Sequence, residues 1–306
     1  MTRPTAVALL VITTMIWGSA FVAQKYGTYS MGPLTFTSAR YLLGGICILP
    51  VALWEYRRGR GKLSVYHGAL LLLFILVFFV GTWLQQAGLI TATVTNGGFL
   101  TGLYVFFVPL ILFFGFRQKL HPILWVCVPL VLCGLYLMNG GITRLSVGDM
   151  LLVACAACWA CHILLLGYLS RATSLPIVVS AAGFIGAGLL AAGGPLMLET
   201  PHLSALAQGW IAIAYTGIFS TALAFSLQAI GQRHIPSSNA AIILSGESLF
   251  ACLGGALLLH ERLPPAGYVG AALIFVAIVL IEGVPAFAAQ RCKAVEPEKS
   301  VERKRE

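Results

Sequence analysis

The chain has 306 residues, of which 59% are hydrophobic and 9% charged, with a mean hydropathy of +0.91. A soluble domain is about 45–50% apolar and about 25% charged, so this chain lacks the charge to cover a water-facing surface of its size. That excludes a soluble enzyme, a disordered chain and a nucleic-acid-binding domain, and it points to an all-α integral membrane protein. The formal net charge of +9 then has meaning only through where the basic residues lie.

The first apolar run, 6–24, follows a short basic start at Met1–Pro4. Gly18-Ser19-Ala20 loosely resembles a cleavage site, but the run is long and the chain keeps inserting after it, so a retained helix is expected rather than a signal peptide. Further runs follow at 33–53, 66–90, 93–115, 122–140, 148–168, 176–197, 208–230, 238–259 and 265–285. Each holds about 20 residues, the length a helix rising 1.5 Å per residue needs to cross about 30 Å of hydrocarbon. Ten transmembrane helices are expected, and the alternating pattern of a transmembrane barrel is absent. The connections are too short to fold as domains, so any binding machinery must lie inside the membrane. Residues 286–306 are charged without an apolar face and should form a disordered cytoplasmic tail.

Lysines and arginines set the orientation. With the N-terminus inside, fifteen fall on the cytoplasmic side: Arg3, the group Arg57, Arg58, Arg60 and Lys62, then Arg117, Lys119, Arg171, Arg233 and six in the tail. Three fall outside (Lys25, Arg144, Arg262), and Arg40 lies within a span. This imbalance is a strong positive-inside signal, which places both termini in the cytoplasm.

An internal repeat is present. A shift of 143 residues aligns Leu84-Gln85 with Leu227-Gln228, Gly88 with Gly231, Asn96 with Asn239, Pro122 with Pro265 and Gly140 with Gly283. The polar corner Arg117-Gln118-Lys119-Leu120 falls on His260-Glu261-Arg262-Leu263, and a shift of 142 puts Trp17 on Trp159 and Tyr26 on Tyr168. Two halves of five spans, 1–142 and 143–285, follow. Because five is odd, the second half must enter the membrane from the opposite side. Such inverted repeats are typical of secondary transporters.

Several motifs carry a family resemblance. Ile16-Trp17-Gly18-Ser19-Ala20-Phe21, Arg40-Tyr41, Phe99-Leu100-Thr101-Gly102-Leu103-Tyr104 leading to Pro109, and Gly246-Glu247-Ser248 followed by Leu259-His260-Glu261-Arg262-Leu263 resemble the EamA family of the drug/metabolite transporter superfamily. The resemblance runs over residues 6–285. It implies a cytoplasmic-membrane carrier for small metabolites, often an exporter of amino acids or related compounds. The chain departs from the family at Glu247-Ser248, where a Glu-Pro pair is common, and at Arg117-Gln118, where Glu-Arg is frequent.

Polar residues within the spans are few enough to weigh singly. Glu247 lies near the bilayer centre, where a charge costs at least about 2.5–3.5 kcal/mol, so it should face the interior and be paired or protonated. It either serves proton coupling or ties two helices together. On the ninth span Ala241, Ser245, Ser248 and Cys252 form a small-residue face, with Asn239, Glu247 and Phe250 roughly opposite. The fourth span repeats this, with Gly98, Gly102 and Pro109 on one side and Asn96, Tyr104 and Phe107 on the other. Small faces suit close helix approach, inside the chain or at a dimer interface, and internal packing is the favoured expectation. Arg40 either snorkels to the headgroups or faces the cavity, where it would pair with Glu247 or hold a substrate carboxylate; Lys25 is expected to snorkel. Gln85, Gln86 and Gln228 offer amides near opposite mouths of the pathway, and Trp17 and Trp159, near mid-membrane, either form apolar walls for a substrate or pack the core.

Cys158-Trp159-Ala160-Cys161-His162 matches the haem-attachment pattern, and Cys155, Cys158 and His162 share a helical face as metal ligands do. Both readings fail on their setting in the middle of an apolar span, which leaves His162 as a candidate cavity residue. The eight cysteines form no disulfide framework. No nucleotide-binding loop or nucleophile motif appears, so no cofactor and no catalysis are expected. The reading is a secondary transporter working by alternating access on a small-molecule metabolite in a lipid bilayer, with a proton as candidate coupling ion. Trp17, Arg40, Gln85, Asn96, Tyr104, Trp159, His162, Gln228, Asn239 and Glu247 are the pathway candidates. An intramembrane enzyme acting on a lipid, or a structural or sensory membrane protein, is the alternative. Both are disfavoured because the polar residues are scattered in repeat-matched pairs and no output domain is present.

Overall fold

A computed structural model describes residues 1–59, 61–138, 146–199, 203–260, 262, 265–281 and 284, and all regular secondary structure among them is helical. Eight helices are long and apolar enough to cross a bilayer. They are α1 (Arg3–Gly27), α2 (Pro33–Arg57), α3 (Val65–Gly88), α4 (Val94–Gly115), α6 (Val147–Thr173), α7 (Pro176–Met197, apolar to Gly194), α8 (Trp210–Gln232) and α9 (Ser237–Leu258). Two shorter apolar helices, α5 (Leu124–Met138) and α10 (Pro265–Ile281), stand where the fifth and tenth spans are expected. Among the described residues, therefore, eight of the ten expected spans are full-length helices, and α5 and α10 border on residues outside the described set. The expected tail, 286–306, lies outside the described residues.

The distribution of polarity is that of a protein solvated by lipid. Large apolar side chains such as Leu72, Trp125, Phe114, Phe275 and Val279 are exposed, while Arg40, Gln85, Gln86, His162, Gln228, Gln232 and Glu247 are buried. In water this arrangement would be unfavourable on both counts, because apolar surface would be hydrated and polar groups desolvated. In hydrocarbon it is the favoured one.

Packing follows the repeat. Three of the helix pairs five apart in chain order, α2 with α7, α4 with α9 and α5 with α10, lie against each other and run antiparallel. On α2 and α7, Ser38 Oγ donates to the Gly188 carbonyl at 3.1 Å, while Glu55, further along α2, reaches back to Ile177 at the start of α7. Gly98 of α4 faces Ala251 of α9, and Gly102 faces Ser248. Gly134 of α5 lies on the backbone of Gly270 in α10. The other pairs come in couples: α3 packs on α6 as α8 packs on α1, and α3 on α7 as α2 on α8. Each half also closes its third helix with the same device. Lys25 at the end of α1 donates to the carbonyls of Leu89 and Ala92, both at 2.8 Å, and Arg171 at the end of α6 donates to that of Gln232 at 2.8 Å. Lys25 therefore caps the end of α3 rather than snorkelling, since those carbonyls have no intrahelical partner.

Both α4 and α9 are interrupted midway. The first halves end at Thr101 and Leu244, and the second begin at Tyr104 and Glu247. Between them run tight turns bonded three residues apart, with Val105 N to Gly102 O at 3.1 Å and Ser248 N to Ser245 O at 3.1 Å. Glycine and serine at the turn are the local cause, and Ser245 adds a 2.6 Å bond from its hydroxyl to the Ile242 carbonyl. Continuous helices were expected here. In α8 the backbone from Tyr215 to Phe225 widens into a π-helix.

Candidate functional site

A cavity sits where α1, α2, α3, α4, α6, α8 and α9 converge. Helix α1 presents Trp17, Phe21 and Gln24, spaced four and three apart on one face; α2 presents Arg40 and Tyr41; α3 presents Gln85. Facing them are Thr101 and Tyr104 of α4, Trp159 and Ile163 of α6, Ser220, Phe225 and Gln228 of α8, and Glu247 of α9. Only about 30 Å³ is open to the centres of water-sized molecules, which is room for about two waters. Both halves of the chain build the walls.

Arg40 and Glu247 stand out among the lining residues. Arg40 is 2% exposed, and its Nε and Nη2 have no hydrogen-bond partner. Its guanidinium lies 4.5 Å from the Tyr41 ring centre and 5.5 Å from that of Phe36, so aromatic faces stabilise the cation in place of an anion. Glu247 is 3% exposed, with Oε1 unpartnered. No ion pair joins the two, so the pairing of Arg40 with Glu247 considered from the sequence is not formed. Tyr104 and Glu247 are the first residues of the second half-helices of α4 and α9, and they occupy the same place in the repeat. Their hydroxyl and carboxyl face one another without closing a hydrogen bond of ordinary geometry.

Aromatic rings fill most of the remaining wall. Trp17 and Trp159 are 6.3 Å apart, and Phe225 lies 4.5 Å from Trp17 and stacks on Trp159 at 5.6 Å. Trp17 Nε1 donates to the Ser220 carbonyl at 3.2 Å, whereas Trp159 Nε1 is unpartnered. That carbonyl belongs to the π-helical stretch, whose lost α-register frees backbone acceptors.

Of the residues singled out from the sequence, Trp17, Arg40, Gln85, Tyr104, Trp159, Gln228 and Glu247 line this cavity. Asn96, Asn239 and His162 do not. Asn96 lies in the first turn of α4 and bonds Asp149 at 3.3 Å; Asn239 lies in the first turn of α9 beside Ser238. Asn239 is eight residues, about 12 Å of helix rise, from Glu247, and Asn96 is five residues, about 7.5 Å, from Thr101, the nearest cavity residue on its helix. His162 stands one layer behind the wall, with Nε2 3.4 Å from Gln228 Oε1 and its ring 5.0 Å from those of Phe74 and Phe78. Gln24 and Ser220 escaped notice. Gln24 shares the α1 face of Trp17 and Phe21, a spacing visible in the sequence, whereas Ser220 owes its position to the π-helix, which no residue pattern announces. Among the described residues, no three His, Cys, Asp or Glu side chains gather as metal ligands.

A sequence profile described as the EamA-like transporter family matches the chain twice, over residues 4–140 and 146–283. The chain belongs to this family. Curated relatives of this EamA-like protein include an uncharacterized transporter of Archaeoglobus fulgidus, 29% identical over 89% of this chain and 84% of that one. The uncharacterized transporter YwfM of Bacillus subtilis is 25% identical, covering 90% and 93% of the two chains. The uncharacterized inner membrane transporter YedA of Escherichia coli is 27% identical, covering 87% of each. A crystal structure with 18% sequence identity superposes on 95% of this chain and 99% of its own, with a TM-score of 0.74. At that identity the likeness speaks for the fold alone. The chain is a multi-pass membrane protein of a transporter family.

Proposed function

We propose that this EamA-like protein is a secondary carrier that moves amino acids or related small metabolites out of the cell by alternating access, with the buried cavity as its substrate site. The observation that carries this is Arg40: a guanidinium inside the membrane, with two nitrogens unpartnered and no carboxylate paired to it. A buried cation without an anion is costly, and an arriving carboxylate would supply the missing partner through charge-assisted, bidentate bonds. Glu247 and the faces of Trp17, Trp159 and Phe225 then suit a cationic amine and an apolar side chain. The halves 1–142 and 143–285, oppositely oriented with both termini cytoplasmic, would exchange conformations to open the site to one face at a time. Room for about two waters marks the closed stage of such a cycle, and the turns in α4 and α9 beside Tyr104 and Glu247 are its natural hinges. A proton on Glu247 would couple transport to the proton gradient.

The test is counterflow of a panel of radiolabelled amino acids, amines and carboxylates in proteoliposomes. Saturable exchange of at least one amino acid, lost in Arg40→Gln, is the expected result. Exchange no faster than in protein-free vesicles across the whole panel, from protein that remains folded, would count against the proposal.

A further inference from the structure

Helices α2 and α7 lack N-caps of their own. The preceding residues, Gly32 and Leu175, make no side-chain cap, and each helix opens on proline, Pro33 and Pro176. The orphan donors of the first turn are satisfied from the partner helix instead. Glu199, just beyond α7, accepts from Leu34 N and Thr35 N at 2.8 Å each and from Thr35 Oγ1 at 2.6 Å. Glu55, in the last turn of α2, accepts from Ile177 N and Val178 N at 2.9 Å each through Oε2. Leu34 and Thr35 occupy the same repeat positions as Ile177 and Val178, and Glu55 and Glu199 differ from that register by one residue. Glycine at position 32 leaves room for the first of these caps, because a Cβ there would meet the Glu199 carboxyl and push it aside.

We propose that Glu55 and Glu199 are reciprocal latches, one at each face of the membrane, and that the carrier opens to a face by releasing the latch there while the other holds. This rests on the alternating-access reading above. The two caps stand about 30 Å apart along α2, so each belongs to one membrane face, and both are closed in a structure whose cavity has room for only about two waters. A symmetric closed state of an inverted repeat has both latches made; states open to either side must break the symmetry, and here one carboxylate decides which way. Each cap is a half-buried side chain on backbone donors, so its release leaves both helices intact and exposes only groups at the membrane edge. Arg40 and Tyr41 lie on α2 between the latches, so splaying α2 from α7 at one end displaces the cavity wall they form. Glu199 has a second contact on its own side, the Thr35 hydroxyl.

The experiment follows a Ser220→Cys reporter, in a full-length background with the native cysteines replaced, labelled by a membrane-impermeant maleimide from each face of sealed vesicles. Glu199→Ala should speed labelling from the Glu199 face at least fivefold and slow it from the other; Glu55→Ala should do the reverse. Combining the two should return the ratio of the two rates to within about twofold of the parent. Gln at each position should give the same directions with smaller shifts. Equal acceleration from both faces, unchanged ratios, or a double variant further from the parent than either single one would overturn the latch. So would failure of all four single variants to fold, because a contact broken in every cycle cannot be indispensable to the fold. A parent labelled from one face only, with or without substrate, would instead overturn the alternating-access reading beneath it.

Discussion

Arg40 and Glu247 divide the chemistry of the cavity, and their conservative replacements separate charge from shape. Lysine in place of Arg40 keeps the charge and loses the planar fork. If the fork holds a substrate carboxylate, Arg40→Lys should lower kcat/KM for carboxylate-bearing substrates roughly ten- to hundredfold, which corresponds to about 1.5–3 kcal/mol for a charge-assisted bond. Exchange of an amine lacking the carboxylate should change little; equal losses for both would place Arg40 in the scaffold. Glu247→Gln is nearly isosteric, so the fold should survive and transport should lose most of its dependence on external pH. A variant whose pH profile matches the parent, with an altered unfolding temperature, would make the carboxyl a helix tie. Intramembrane charge on an apolar background made both residues legible from the chain alone. Depth was harder to read. Asn96 and Asn239 look like pathway residues on a helical wheel, but they sit at the helix ends, where Asp149 and Ser238 occupy their amides.

At the level of the helix, the close crossing of α4 and α9 gives the sharpest packing test. A Cβ on Gly98 would lie 2.7 Å from the Ala251 Cβ, and the Ser248 hydroxyl donates to the Gly98 carbonyl at 2.7 Å across the same interface. The Gly98-Gly102 spacing therefore serves internal packing. Gly98→Leu should destabilise the protein by at least about 1–3 kcal/mol, as overpacking does, read as a lower unfolding midpoint in detergent. Gly68 in α3, with open space around its Cα, should tolerate alanine and gain a few tenths to about 1 kcal/mol from the better helix former; equal loss at both sites would refute the packing argument. The small-residue faces of the fourth and ninth spans were visible because glycine and serine are rare enough to stand out at four-residue spacing. The breaks within those helices were not seen, although the 143-residue shift carries Gly102-Leu103 onto Ser245-Gly246. Hydropathy windows average over such turns, and a tight turn of this kind changes no residue's polarity.

Across the whole molecule, the repeat seen in scattered Gln, Asn, Trp and Pro matches reappears as antiparallel packing of α2 on α7, α4 on α9 and α5 on α10. Antiparallel mates fix the two halves relative to each other, but they leave open which face of the membrane each end meets; only the lysine and arginine distribution decides that. The topology expected from the sequence puts fifteen basic residues on one side and three on the other, and on that reading the Arg57–Lys62 and Arg117–Lys119 connections stay untranslocated. Single cysteines introduced into a cysteine-free chain at 55–65 or 117–121 should therefore react with an impermeant maleimide only after the cytoplasmic face is exposed. Cysteines at 27–30 should react from outside intact cells. The two sets are linked by an odd number of helices, one from 27–30 to 55–65 and three from 27–30 to 117–121. Residues 27–30 and 117–121 reacting from the same face would break the helix count and the inverted arrangement together. All three positions reacting from the opposite faces would keep the architecture, reverse the orientation, and place the Glu199 latch on the cytoplasmic side.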